Sequence, residues 1–283
     1  MTAAVPSGLC RCYGTPPYSA AVIHGGPGAA GEMAPVATEL SRTRGVLEPL
    51  QTKKTIEGQI KELDRCLMKR GNGPFTLVGF SWGAWLVWLT ASRNPDLVKK
   101  LVLVGSGPFI SRHAERILET RLNRLKEEER ADVLLLSARM KKNEGISLRH
   151  RGDKTTRNRN LARLGELLTR ADTFDSLPQD KNKYPPVEVD SVIFNAVWPE
   201  ADEMRRSGRL LEAGKNIRCP VVAIHGDYDP HPAEGVEEPL SSILSDFRFI
   251  LLPRCGHRPW IERFARDLFF QVLRKELPSQ GSR

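Results

Sequence analysis

The sequence predicts an α/β domain built on a mostly parallel central sheet with helices on both faces, interrupted once by a helical insertion. Short apolar runs alternate with stretches of helical periodicity toward both ends of the chain. The run at 75–80 passes through Gly79-Phe80-Ser81-Trp82-Gly83 into a second apolar run, Trp85-Leu86-Val87-Trp88-Leu89, so a strand, a sharp turn and a helix meet at one serine. The alternation then stops after Leu101-Val102-Leu103-Val104-Gly105, gives way to helical patterns alone, and resumes at Val221.

The expected strands are the runs at 20–23, 45–50, 75–80, 101–104, 221–224 and 247–252. Such continuously apolar runs suit parallel strands buried on both faces. Ile56, Ile60, Leu63 and Leu67 recur at helical spacing and stop before Gly71, which marks a crossover helix with a glycine stop. Residues 82–91 are apolar nearly all round, as a buried helix is. In the insertion, helical patterns fall on Ile117, Leu118, Leu122 and Leu125, on 133–140, and on Leu161, Leu164, Leu167 and Leu168. The proline-rich stretch 175–186 reads as a linker between cap helices. At the carboxyl end, Trp260, Ile261, Phe264, Leu268, Phe269 and Val272 form one stripe, expected to pack on the sheet as the last helix. The expected organisation is a core of 1–108 and 217–283, with 109–216 as a helical cap over the sheet's active edge.

The 283 residues carry a net charge of +9, and Arg139, Lys141, Lys142, Arg149, Arg151, Lys154, Arg157, Arg159 and Arg163 face only Glu144 and Asp153 between 139 and 163. Clustered cations suit phosphates. This segment has no aromatic residue for base stacking and reads instead as a solvated face, which argues against nucleic acid as a partner. Cys10, Cys12, Cys66, Cys219 and Cys255 are odd in number, lack C-x-x-C spacing and read as reduced thiols, so a cytoplasmic location is expected. The first 30 residues lack a basic region followed by a long apolar core, and no run of 18 apolar residues occurs, so neither a signal peptide nor a membrane span is expected.

The string G-x-S-x-G alone arises by chance in roughly one chain of this length in ten, so its context carries the reading. A serine hydroxyl needs a base to take its proton and a carboxylate to orient that base. Val221-Val222-Ala223-Ile224-His225-Gly226-Asp227-Tyr228-Asp229 places two acids after one expected strand, and Phe249-Ile250-Leu251-Leu252-Pro253-Arg254-Cys255-Gly256-His257 places a histidine after the next. Loops at the carboxyl ends of parallel strands share one edge of an open sheet, so Ser81, an acid and His257 can converge. Their order, Ser, Asp, His, is that of the nucleophile-elbow enzymes. His225 and His231 read as structural or rim residues, and His24 as a hydrogen-bonded structural one. No H-E-x-x-H, clustered Cys and His, G-x-x-x-x-G-K-[ST] or helix-opening G-x-G-x-x-G occurs, so neither a metal nor a cofactor is expected.

From about residue 20 to 277 the chain resembles the α/β-hydrolases with a helical cap inserted after the strand that follows the elbow helix. The resemblance rests on His24-Gly25-Gly26-Pro27-Gly28, the elbow at Ser81, Gly226-x-x-Asp229 and Gly256-His257. It implies Ser81 as nucleophile, His257 as general base and acid, and an acid three residues after the glycine, which selects Asp229 over Asp227. The backbone N–H groups of Trp82 and Gly26 are the expected oxyanion donors, each contributing about 3 to 4 kcal/mol in the transition state. The implied reaction is hydrolysis of a carboxylic ester, amide or short peptide through an acyl-enzyme. C–C hydrolysis, acyl transfer and a binding protein without turnover are the other outcomes the fold allows.

His-Gly-Gly-Pro-Gly also resembles the oxyanion loop of proline iminopeptidases. Those enzymes carry a tryptophan-rich segment where this chain has Gly105-Ser106-Gly107-Pro108-Phe109, and they hold the substrate amine with cap acids. The counterparts here would be Glu200 and Glu203, spaced to share a helix face; the competing reading makes them ordinary acids of a first helical turn after Pro199.

Overall fold

The computed structural model describes residues 10–142, 153–178, 183–184 and 186–277. Seven strands form the central sheet, namely β1 (Cys10–Tyr13), β2 (Tyr18–Ile23), β4 (Gly45–Pro49), β5 (Phe75–Phe80), β6 (Val98–Val104), β8 (Val221–Gly226) and β9 (Phe247–Leu252). Their order is β1-β4-β2-β5-β6-β8-β9, and every pairing is parallel except β1 with β4. All six expected strands are present. β1 was not legible: it is a four-residue edge strand whose Arg11 and Tyr13 serve Glu48 of β4, a buried acid inside an otherwise apolar run.

Strand alternation sorts the core into two layers. Ala21, Ile23, Leu47, Leu77, Leu101, Leu103, Val221 and Ala223 face one way, against α2 (Ile56–Arg70) and α3 (Trp82–Arg93). Ala20, Val22, Val46, Val78, Val102, Val104, Val222 and Ile224 face the other, against α1 (Ala34–Leu40) and α10 (Arg266–Glu276). The helix α3 is buried from Trp82 through Ala91, in keeping with its apolar circumference.

Between β6 and β8 the chain builds α4 (Ile117–Asn123), α5 (Glu127–Lys142), α6 (Lys154–Ala171), α7 (Ser191–Arg206) and α8 (Arg209–Glu212). Leu125, Val133, Leu136, Leu164, Leu167 and Ala171 give this insertion its own small core. The two-residue strand β7 (Glu188–Val189) pairs antiparallel with β3 (Ala29–Ala30), which ties the insertion to the loop after β2. The helix α9 (Glu234–Ile243) returns the chain to the edge strand β9. Arg149 and Arg151 of the basic segment, and part of the stretch 175–186, lie outside the described residues. Lys154 pairs with Asp190 at 2.8 Å and Arg163 with Asp132 at 3.3 Å, so these cations sit on a solvated, ion-paired face.

The carboxyl end differs from expectation. Trp260 and Ile261 occupy a short 3-10 turn, Phe264 and Leu268 are exposed, and α10 begins only at Arg266, burying Phe269, Phe270 and Leu273. Glu262 is the reason. Its buried carboxylate accepts from the backbone N–H groups of Phe174, Asp175 and Gly256, which pins the segment before a helix can start.

Candidate active site

Ser81 stands at the junction of β5 and α3 with φ +52° and ψ −118°, a backbone conformation that side-chain-bearing residues rarely adopt. The flanking glycines permit it. A Cβ on Gly79 would lie 2.3 Å from the Gly83 carbonyl oxygen, and one on Gly83 would lie 2.3 Å from that of Ile23. The strand register brings the other loops to the same edge, because Phe80 pairs with Val104, Val104 with Ile224, and Gly226 with Leu252.

After β8 and β9, Asp229 and His257 meet. His257 Nδ1 lies 2.7 Å from Asp229 Oδ2, and both residues are buried. The Asp229 carboxylate is fully enclosed. Burial alone would push it up, but the neighbouring His257, His231 and His225 outweigh burial and hold it well below the ordinary carboxylate range. Asp227 is exposed and accepts instead from the Cys255 backbone N–H at 3.1 Å, closing the turn between the two loops. With Nδ1–H given to Asp229, His257 presents Nε2 as an acceptor. Its ring packs on Phe80 at 4.8 Å between centroids, and its backbone N–H donates to the Asp172 carbonyl at the end of α6. Gly256 allows that approach, since a Cβ there would lie 2.0 Å from the Asp172 oxygen.

The Ser81 hydroxyl makes no hydrogen bond among the described residues and opens into a cavity of about 220 Å³. Nucleophile-to-base bonds are commonly long without substrate and tighten in the complex. Trp82 holds the first position of α3, where a helix leaves its N–H groups without internal partners. Gly26, at φ +109°, sits in a loop fixed on both sides: Gly25 N–H reaches Glu32 at 3.2 Å and Gly28 N–H reaches Gln51 at 3.4 Å. Gln51 also accepts from the Trp82 indole at 3.0 Å and donates to the His24 carbonyl at 2.8 Å. His24 is buried, its basicity lowered by that burial, and serves this network.

Sequence reasoning missed Arg121 and Arg205 here, and took His231 no further than a structural or rim residue. His231 donates its backbone N–H to Asp229 Oδ1 at 2.9 Å, with its Nδ1 at 2.7 Å from the same oxygen. Burial pushes this imidazole down to about 4 despite the carboxylate. An Asp-x-His spacing that lets the carboxylate close a turn was its signal. Arg121 of α4 forms a two-bonded pair with Asp172, 2.7 Å at each nitrogen, and Arg205 of α7 pairs with Asp202. Both arginines and His231 line the cavity. Donor atoms of Asp229, His231 and His257 lie within 4.8 Å of one another, with the carboxylate engaged by an Nδ1 of each imidazole.

Glu200 and Glu203 require a correction, since neither lines the cavity. Glu200 accepts from the Ile56 N–H at 2.9 Å and so caps α2 from a distance, while Glu203 pairs with Arg206 at 2.9 Å in solvent. The first-turn reading fails as well. α7 starts at Ser191, with Asp190 as its N-cap, and runs through Pro199.

Residues 55–264 match the family model for the alpha/beta hydrolase fold. Among solved structures the chain is similar to VinJ, with 18% identity, a TM-score of 0.62 and 97% of each chain covered. It is similar to a proline iminopeptidase from Mycobacterium smegmatis, with 18% identity, a TM-score of 0.59 and 97% of each chain covered. A monoacylglycerol lipase from Paleococcus ferrophilus shares 16% identity at a TM-score of 0.58, covering 95% of this chain and 97% of that one. At these identities the likeness is one of fold. No curated protein matches the sequence.

Proposed function

The chain belongs to the alpha/beta hydrolase fold family, and on that premise we propose that it is a serine hydrolase cleaving carboxylic esters of small or medium acyl groups. The observation that carries this reading is the strained Ser81 elbow at the same sheet edge as the 2.7 Å His257–Asp229 pair. Ser81 Oγ attacks the carbonyl carbon as its proton passes to His257 Nε2, and Asp229 stabilises the imidazolium by accepting from Nδ1. The N–H groups of Gly26 and Trp82 receive the oxyanion. His257 then protonates the departing oxygen, and a water, deprotonated by the same imidazole, releases the acid from Ser81.

The insertion 109–216 acts as the cap, contributing one wall of the cavity through α4 and α7. Amide or peptide cleavage follows the same steps. Recognition of a free amine, however, needs an acid at the cavity, and among the described residues lining it there is none. Free thiols at all five cysteines favour a reducing, cytoplasmic setting.

A side-by-side assay of short aryl esters and proline arylamides tests the substrate class, with Ser81→Ala as control. Faster ester turnover that vanishes in the variant is expected. Faster proline arylamide turnover would overturn the ester reading in favour of an aminopeptidase.

A further inference from the structure

α7 turns one stripe toward the cavity side. Phe194, Trp198 and Arg205 are spaced by four and seven residues, which puts them on one helical face next to the buried Ile193, Val197 and Ala201. Trp198 lies parallel to Phe194, at 6.1 Å and 11°, and parallel to Trp85 of α3, at 6.0 Å and 4°. The Arg205 guanidinium stands 5.8 Å from the Trp85 ring. Trp85 follows Ser81 by one helical turn, so this wall of flat rings ends in a cation that lines the same cavity as Ser81.

The two arginines of the cavity are not equivalent. Arg121 spends its charge on Asp172 through two short bonds. Arg205 is engaged through Nη2 alone, by an Asp202 that also serves Arg206 at 3.2 Å, and its Nε is buried without a partner. A buried N–H on a charged group left unpaired is destabilising. Such a cost is recovered when an anion arrives, because a carboxylate can occupy two nitrogens of the guanidinium fork at once.

We propose that this wall is a subsite for a carboxylate carried on a flat, ring-bearing acyl group, with the ring against the indoles of Trp85 and Trp198 and the anion on Arg205. The inference rests on the hydrolase reading only in taking this cavity as the acyl site. It makes the substrate an anionic ester and sets this chain apart from enzymes that select an ammonium group.

Benzoate and its neutral isostere benzamide, titrated against tryptophan fluorescence, test the subsite without any need for turnover. Benzoate should bind the wild type at least tenfold more tightly than benzamide, as a charge-assisted hydrogen bond is worth. Arg205→Gln should bring the two ligands to within about twofold, and Arg205→Lys should restore part of the preference. Benzamide binding reports that each variant is folded. Equal affinities in the wild type, or an unchanged preference in Arg205→Gln, would overturn the proposal. Absence of ester turnover together with a preserved benzoate preference would instead overturn the hydrolase reading alone.

Discussion

On the sheet side of the cavity the groups around Ser81 are fixed by backbone: an elbow at φ +52°, glycines that admit carbonyl oxygens within 2.3 Å of where a Cβ would sit, and loops bonded to one another. On the helical side the cavity is lined by side chains, Arg121 held by Asp172, Arg205 held by Asp202 and an exposed Trp198, while backbone bonds such as the β3–β7 pairing tie the insertion down farther off. In the proposed reaction, the chemistry that needs sub-ångström placement belongs to the first, and selection among substrates, which tolerates adjustment, belongs to the second. Substitutions should therefore act differently on the two sides.

The largest effect belongs to the sheet side. Ser81→Ala should lower ester turnover by a factor on the order of 10⁴ or more, measured as kcat under saturating aryl ester. Asp229→Asn should cost on the order of 10⁴, while Asp227→Asn, whose amide oxygen can still accept from the Cys255 N–H, should cost far less. The reverse ranking would move the orienting acid to Asp227.

Glycines sharpen the contrast through stability. Gly256→Ala places a Cβ 2.0 Å from the Asp172 carbonyl and should destabilise by about 2 kcal/mol or more in urea unfolding. Gly165→Ala, exposed on α6 with nothing within 4 Å, should stabilise by up to about 1 kcal/mol. If both lower the unfolding midpoint equally, the two sides are not built differently.

The last contrast is a pH slope. His231 is held neutral down to about 4 in the folded protein, against an ordinary value of 6.5. As pH falls below 6.5 the unfolded chain therefore takes up this proton first, and stability is lost progressively until about pH 4. Buried His24, also lowered, adds to the same window. His231→Asn should flatten the slope of unfolding free energy against pH there, leaving the His24 share.

The sheet, and the placing of Ser81 at the same edge as the Asp229–His257 pair, were legible because strands buried on both faces read as apolar runs, and their carboxyl ends meet by topology. The roles of Glu200 and Arg205 were not. Glu200 serves a helix start 144 residues earlier in the chain, a contact no local pattern encodes. Arg205 and Trp198 lie on the expected helical insertion, but which face of α7 meets Trp85 depends on how α7 packs on α3. β1 and the late start of α10 were hidden for a similar reason, since both depend on single buried acids, Glu48 and Glu262.

The central claim is that Ser81 is the activated nucleophile, and mass spectrometry of the protein after reaction with a fluorophosphonate tests it most directly. One adduct on the peptide containing Ser81 is expected, lost in Ser81→Ala and strongly slowed in Asp229→Asn. An adduct on another residue, or equal labelling of Ser81→Ala, would contradict the account.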